Sequence, residues 1–87
     1  MITIYIIVLN GCPYSEKAHK QLKLLYKQHK IILQDTFIDN NEKEKYRTKK
    51  MSTFPQIHYK TNKNTIKIGG SSDLDIWLIK NKKRFDL

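Results

Sequence analysis

Among the residues of this 87-residue chain that could act as nucleophile, acid, base or metal ligand, Cys12 has the most specific setting. It stands directly after an apolar run, residues 2–9, and immediately before Pro13 and a segment of helical periodicity. A thiol at the mouth of a helix meets unpaired backbone N–H groups and the positive end of the helix dipole. Both favour the thiolate, the form that attacks sulfur. A solitary cysteine is more often a small inert hydrophobe, so the position alone does not decide its role. Cys12 is also the only cysteine, which excludes an intramolecular bridge, a Cys-rich zinc site and a secreted disulfide scaffold. Its sulfur acts alone or between molecules. His19, His29 and His58 are scattered without metal-ligand spacing and read as surface or packing residues.

The elements that must hold Cys12 follow from periodicity. Residues 2–9 are β-branched and aromatic with no helix cap, and so continuous an apolar run predicts a strand buried on both faces. Asn10-Gly11 breaks it. Pro13 falls at a first helical turn, where its missing N–H costs nothing. From there to about residue 29, Ala18, Leu22 and Leu25 recur at helical spacing, with Lys17, Lys20, Lys23, Lys27 and Lys30 on the opposite, solvated side. Residues 31–38 return to β character and end at Asp39, Asn40 and Asn41. Over residues 42–50 acids precede bases, the order a helix dipole prefers, and Tyr46 is the main apolar anchor. Residues 56–59 and 65–68 read as two strands of a hairpin turning at residues 61–64, closed by Gly69-Gly70. Ser72 and Asp75 have capping-box spacing before a last helix, whose Leu74, Trp77 and Leu78 face inward and whose end is the basic cluster 80–84. The order β-α-β-α-β-β-α joins its first two strands by a helical crossover and its last two by a hairpin. That predicts an α/β sandwich with a four-stranded mixed sheet flanked by helices.

Length sets one domain, residues 1–87, because chains divide into separate cores only well beyond this size. With 39% hydrophobic and 29% charged residues the composition is globular rather than disordered. The opening apolar run is far shorter than the roughly 20 residues of a bilayer span, and no Lys or Arg precedes it as in a signal peptide. A soluble, cytoplasmic protein is the expectation. Seventeen basic against eight acidic residues give a net charge of +9, which favours anionic partners of any kind. The lysines are spread through every segment, so the charge alone does not choose among those partners.

Three segments, taken in order, resemble a known family. Asn10-Gly-Cys-Pro-Tyr-Ser15 looks like the active site of glutaredoxins, Thr53-Phe-Pro-Gln-Ile57 like their T-V-P-x-(V/I) segment, and Ile68-Gly-Gly-Ser-Ser-Asp73 like their G-G-x-x-D segment. A C-P-Y-x tetrapeptide by itself is a weak signal, whereas three segments in register, spanning nearly the whole chain, are a strong one. The resemblance implies a thioredoxin-like fold that binds glutathione and exchanges thiols with it. It implies Cys12 as the catalytic nucleophile and a glutathione site made by Tyr14, Thr53, Phe54, Pro55, Gly70, Ser72 and Asp73. Pro55 would be cis, turning the backbone of Phe54 toward the cysteinyl part of an extended glutathione. Gly69 and Gly70 would allow close approach, the Ser72 N–H would meet the γ-glutamyl carboxylate, and the Asp73 carboxylate its ammonium. Tyr14 would shield the sulfur.

Two departures from the family pattern shape the expectation. Ser15 stands where dithiol members carry a second cysteine, so the site is monothiol. Leu9 stands where members commonly have a Lys or Arg reaching the glycine carboxylate of glutathione, and Arg47, with Lys49 or Lys50, is the expected substitute. The implied activity is reduction of glutathione mixed disulfides on proteins and small molecules, by a monomer. An alternative of another class is a carrier holding a [2Fe–2S] cluster between two chains, each giving Cys12, with two glutathiones as the other ligands. The carrier signature in the family is C-G-F-S, which this chain lacks. A lesser alternative is a basic nucleic-acid-binding module, against which no aromatic stacking platform or recognition motif is visible in the sequence.

Overall fold

A computed structural model describes residues 1–86. Its elements are β1 (Thr3–Leu9), α1 (Pro13–Lys27), β2 (Ile32–Ile38), a 3-10 turn (Asn40–Glu42), α2 (Lys43–Tyr46), β3 (Gln56–Lys60), β4 (Thr65–Gly69), α3 (Ser71–Lys80) and α4 (Lys82–Phe85). The sheet order is β2-β1-β3-β4, with β1 parallel to β2 and antiparallel to β3, and β3 antiparallel to β4. The expected mixed sheet is therefore present. Its core joins Ile4, Ile6 and Val8 of β1 to Ala18, Leu22 and Leu25 of α1, with Ile57, Leu74 and Phe85 completing it. Tyr59, Trp77 and Phe85 pack in sequence, ring centroids 5.3 and 5.5 Å apart, and fasten α3 and α4 to β3.

Four expectations are corrected. β1 is buried along its whole length on one face only: Ile4, Ile6 and Val8 point into the core while on the other side Thr3, Tyr5 and Ile7 are half-buried and Leu9 alone is buried. The helix expected over residues 42–50 contracts to the four residues of α2. With little apolar surface to bury, the chain turns away instead, Thr48 and Met51 closing a loop through two hydrogen bonds, Thr48 N–H to Met51 O and Met51 N–H to Thr48 Oγ1. The last helix starts at Ser71, with Gly70 as its N-cap and Asp73 rather than Asp75 reaching back to the cap N–H. Asp75 accepts a hydrogen bond from Gln21 of α1 instead. That helix also breaks at Asn81, whose side-chain amide donates to Trp77 O at 2.7 Å and competes with the backbone ladder.

On the half-buried side of the sheet, His58 of β3 lies opposite Tyr5 of β1 and Lys67 of β4. Burial, reinforced by the Lys67 ammonium, lowers the His58 pKa from its ordinary 6.5. The folded chain therefore takes up this proton less readily than the unfolded one. The effect on stability is nil above pH 6.5 and becomes a loss as pH falls from there through the lowered value. His58→Gln is expected to flatten that decline, measured as the difference between urea midpoints near pH 7.5 and near pH 5.

Candidate active site

The central strand delivers Cys12. β1 ends at Leu9, and Gly11, at φ 81°, makes the turn that brings the Cys12 N–H back to Leu9 O at 3.1 Å. Cys12 is then the N-cap of α1, in extended conformation, with Pro13 as the first helical residue. Its carbonyl accepts the Glu16 N–H at 3.0 Å, but its sulfur makes no capping bond and stays half-exposed. The Cys12 thiol is thus positioned by backbone alone.

The other two segments converge on it. The Phe54–Pro55 peptide is cis and Pro55 is buried, and residues 52–54 line a cavity together with Cys12 before β3 begins. Leu9, Cys12, Lys43, Arg47, Thr53 and Phe54 line a cavity of about 200 Å3. A second cavity of about 130 Å3 lies against Pro55, Gly69, Gly70 and Asp73, with Lys50 and Lys67 at its edge. Ser52 and Thr53 line both, so the two abut and form one groove from Cys12 to the start of α3.

At the far end of the groove, the Gly70 N–H donates to Asp73 Oδ2 at 2.9 Å. Gly69 has φ 122°, and a Cβ there would lie 2.7 Å from Asp73 Cγ. Only glycine at 69 lets the carboxylate sit where it does. At the near end, Arg47 donates from Nε to Ser52 O at 2.9 Å and pairs through Nη1 with Glu44 at 2.6 Å. Its guanidinium is half committed to holding the loop. Lys43, which the sequence did not single out, lines the Cys12 cavity and has no ion pair among the described residues.

Of the residues expected to form the site, Cys12, Arg47, Thr53, Phe54, Pro55, Gly70 and Asp73 border this groove. Tyr14 is 68% exposed and borders neither cavity, because the first turn of α1 carries its side chain outward. Ser72 is exposed at the second position of α3 and borders neither cavity. Lys49 borders neither cavity, whereas Lys50 borders the second. Ser15 is fully buried, and its Oγ has no hydrogen-bond partner among the described residues. Among those residues no three His, Cys, Asp or Glu side chains gather closely enough to hold a metal ion.

Gln56 is the positioning residue that sequence reasoning missed. It is buried at the start of β3, and its Nε2 donates to both Tyr46 O and Met51 O, at 2.9 and 2.8 Å. One side-chain amide thereby ties α2 and the loop 47–55 to the sheet. A glutamine next to the cis proline carried no sequence signal for this, because its partners are defined only once the loop is folded. Gln56→Leu is expected to cost about 1–3 kcal/mol by leaving the part-buried Tyr46 carbonyl without its partner and Met51 O with the Thr48 N–H alone, read as a lower urea midpoint at unchanged m.

The architecture is that of a thioredoxin-like domain with one cysteine at the start of its first helix. The chain is similar in structure to a crystal structure of glutaredoxin 1 from Francisella tularensis complexed with cacodylate. The TM-score is 0.62 and the identity 24%, covering 95% of this chain and 99% of that one. The fold is therefore the glutaredoxin fold. No protein-family model matches the chain, and no curated protein matches its sequence. No helix among the described residues is long and apolar enough to cross a membrane.

Proposed function

We propose that this chain is a glutathione-dependent thiol–disulfide oxidoreductase that uses a single thiol. The observation that carries the reading is the groove: an unencumbered Cys12 sulfur at one end, the Thr53–Phe54–Pro55 backbone along its side, and Asp73 at the other end. Its sequence of groups suits an extended tripeptide whose central residue carries the reacting sulfur.

In this reading the Cys12 thiolate attacks the glutathionyl sulfur of a mixed disulfide. A new S–S bond forms, the old one breaks, and the target leaves as a thiolate that takes a proton from water. The thiolate of a second glutathione attacks the same glutathionyl sulfur, leaves as glutathione disulfide and returns Cys12 to its starting form. The net change consumes one reduced glutathione: its sulfur joins the glutathionyl sulfur in glutathione disulfide, and the target sulfur leaves as a thiol. The Phe54 backbone aligns the cysteinyl residue, the Ser72 N–H and Asp73 hold the γ-glutamyl end, and Lys43 with Arg47 takes the glycine carboxylate that Leu9 cannot. Lys43 is the freer of the two cations, since Arg47 is already engaged by Glu44 and Ser52.

Ser15 sets the reaction class. A buried hydroxyl cannot resolve a Cys12 mixed disulfide, so glutathione must do so from solution. The chain is expected to turn over a glutathionylated peptide with glutathione as reductant and to leave protein disulfides that need two active-site thiols largely intact. Both are followed by coupling glutathione disulfide formation to NADPH oxidation. Efficient reduction of a protein disulfide without glutathione turnover would contradict the monothiol mechanism.

A further inference from the structure

The sheet has one face that the helices do not cover. α1 and α3 pack on the side of Ile4, Ile6 and Val8, while on the other side the single turn of α2 and its loop cover Leu9, Ile38 and Met51 and reach across to His58 and Lys67, where Lys67 Nζ donates to Lys50 O at 2.7 Å. A row of four cross-strand neighbours runs across that face: Gln34, Tyr5, His58 and Lys67. Lys60 stands two residues beyond His58 on the same face of β3.

Two properties of this surface point to one kind of partner. Tyr5 and His58 are directly opposed on antiparallel strands and both half-buried, which places two aromatic side chains next to each other on this face, about 5 Å apart at Cβ. The aromatic pairs found among the described residues lie elsewhere: His19 with Phe37, Tyr59 with Trp77 and Trp77 with Phe85. Among the described residues no ring stacks on Tyr5 or His58, and the lowered His58 pKa favours the uncharged imidazole near neutral pH. The second property is charge. Alternation along the strands puts no Asp or Glu on this face, since Asp35 points the other way, to His19 of α1 at 2.8 Å. Lys60 and Lys67 are there, and Lys50 and Lys67 border a cavity of about 330 Å3 beside His58. A second copy would bring the same lysines against each other, and an acidic protein surface would leave the two rings without a counterpart.

We propose that this open sheet face binds single-stranded nucleic acid, with bases stacked on Tyr5 and His58 and phosphates held by Lys50, Lys60 and Lys67. Unpaired bases present a π-face to any flat aromatic platform, and lysines at its margins neutralise the backbone without reading sequence. The sequence showed no such platform because Tyr5 and His58 are brought together only by the pairing of β1 with β3.

The test is fluorescence anisotropy of the full chain with labelled oligothymidylate and oligouridylate of about 12 nucleotides, titrated at several salt concentrations. Single strands are expected to bind more tightly than a duplex of equal length. Tyr5→Thr and His58→Thr, which keep β propensity, should each weaken binding roughly tenfold, and Tyr5→Phe should restore it. Lys67→Gln should lower the salt slope by about 0.7, whereas Lys23→Gln on α1 should leave both slope and affinity unchanged. Circular dichroism confirms that each variant is folded, and His58→Thr tests the platform if Tyr5→Thr is not. Three results would overturn the proposal: equal binding of single strand and duplex, wild-type affinity in folded ring variants, or an effect of Lys23→Gln as large as that of Lys67→Gln, which would mean bulk charge only. A concentration-dependent dimer in sedimentation velocity that Lys67→Glu abolishes would make the face a self-interface and overturn it as well.

Discussion

Cys12→Ser is expected to reduce turnover of a glutathionylated peptide to background while making the protein slightly more stable. The two effects have opposite signs for one geometric reason. Cys12 is the N-cap of α1, and its sulfur caps nothing, so the N–H groups of the first turn have no side-chain acceptor. A serine hydroxyl at an N-cap accepts such an N–H well and is worth about 0.5–1 kcal/mol there. For a domain of this size that is a rise of several degrees in Tm. The same hydroxyl cannot form a mixed disulfide, and no other cysteine exists to replace it. The check is a thermal melt beside the glutathione-coupled assay. Turnover retained in the serine variant would sink the oxidoreductase reading, and loss of activity together with loss of the melt would show only misfolding.

Asp73→Asn is expected to weaken use of glutathione by roughly ten- to a hundredfold, the loss of a charge-assisted contact of about 1.5–3 kcal/mol. Asparagine is a demanding control here because its side-chain oxygen can still accept the Gly70 N–H that Asp73 accepts at 2.9 Å. The helix start is preserved, and only the negative charge at the N-terminus of α3 is lost, a matter of about 0.3–1 kcal/mol of stability. The rate of Cys12 alkylation should hardly change, since Asp73 lies at the other end of the groove. A split between glutathione dependence and alkylation rate therefore marks a ligand-binding carboxylate. If activity instead fell in proportion to stability, with glutathione dependence as in the wild type, Asp73 would be a cap alone.

What was legible in the sequence is what local pattern encodes. Ala18, Leu22 and Leu25 recur over enough turns to define the buried face of α1, and Asn10-Gly11 before Pro13 could only place Cys12 at its mouth. The hairpin at residues 61–64 was equally plain, and Thr61 closes it by donating its N–H to Asn64 O at 2.8 Å. Residues 42–50 misled because acids before bases describe any helix of that composition, while the length of a helix depends on how much apolar surface it can bury. Ser72 and Asp75 misled in a similar way. Capping-box spacing fits several neighbouring starts, and the strand end at Gly69 selected the one that uses Gly70 and Asp73.

The sequence by itself determined the order of elements, the mixed sheet, the single cysteine and its station at a helix start, because each rests on residues within a few positions of one another. Tertiary structure decided everything that depends on which distant segments meet. It brought Lys43 to the cavity beside Cys12, made Gln56 the tie for the loop that carries Thr53 and Phe54, and turned Tyr14 away from the groove. It also set Tyr5 opposite His58 on a face that α2 is too short to cover. Such pairings follow from strand register and from where a loop finds hydrogen-bond partners, and both are settled by the packing of the whole chain.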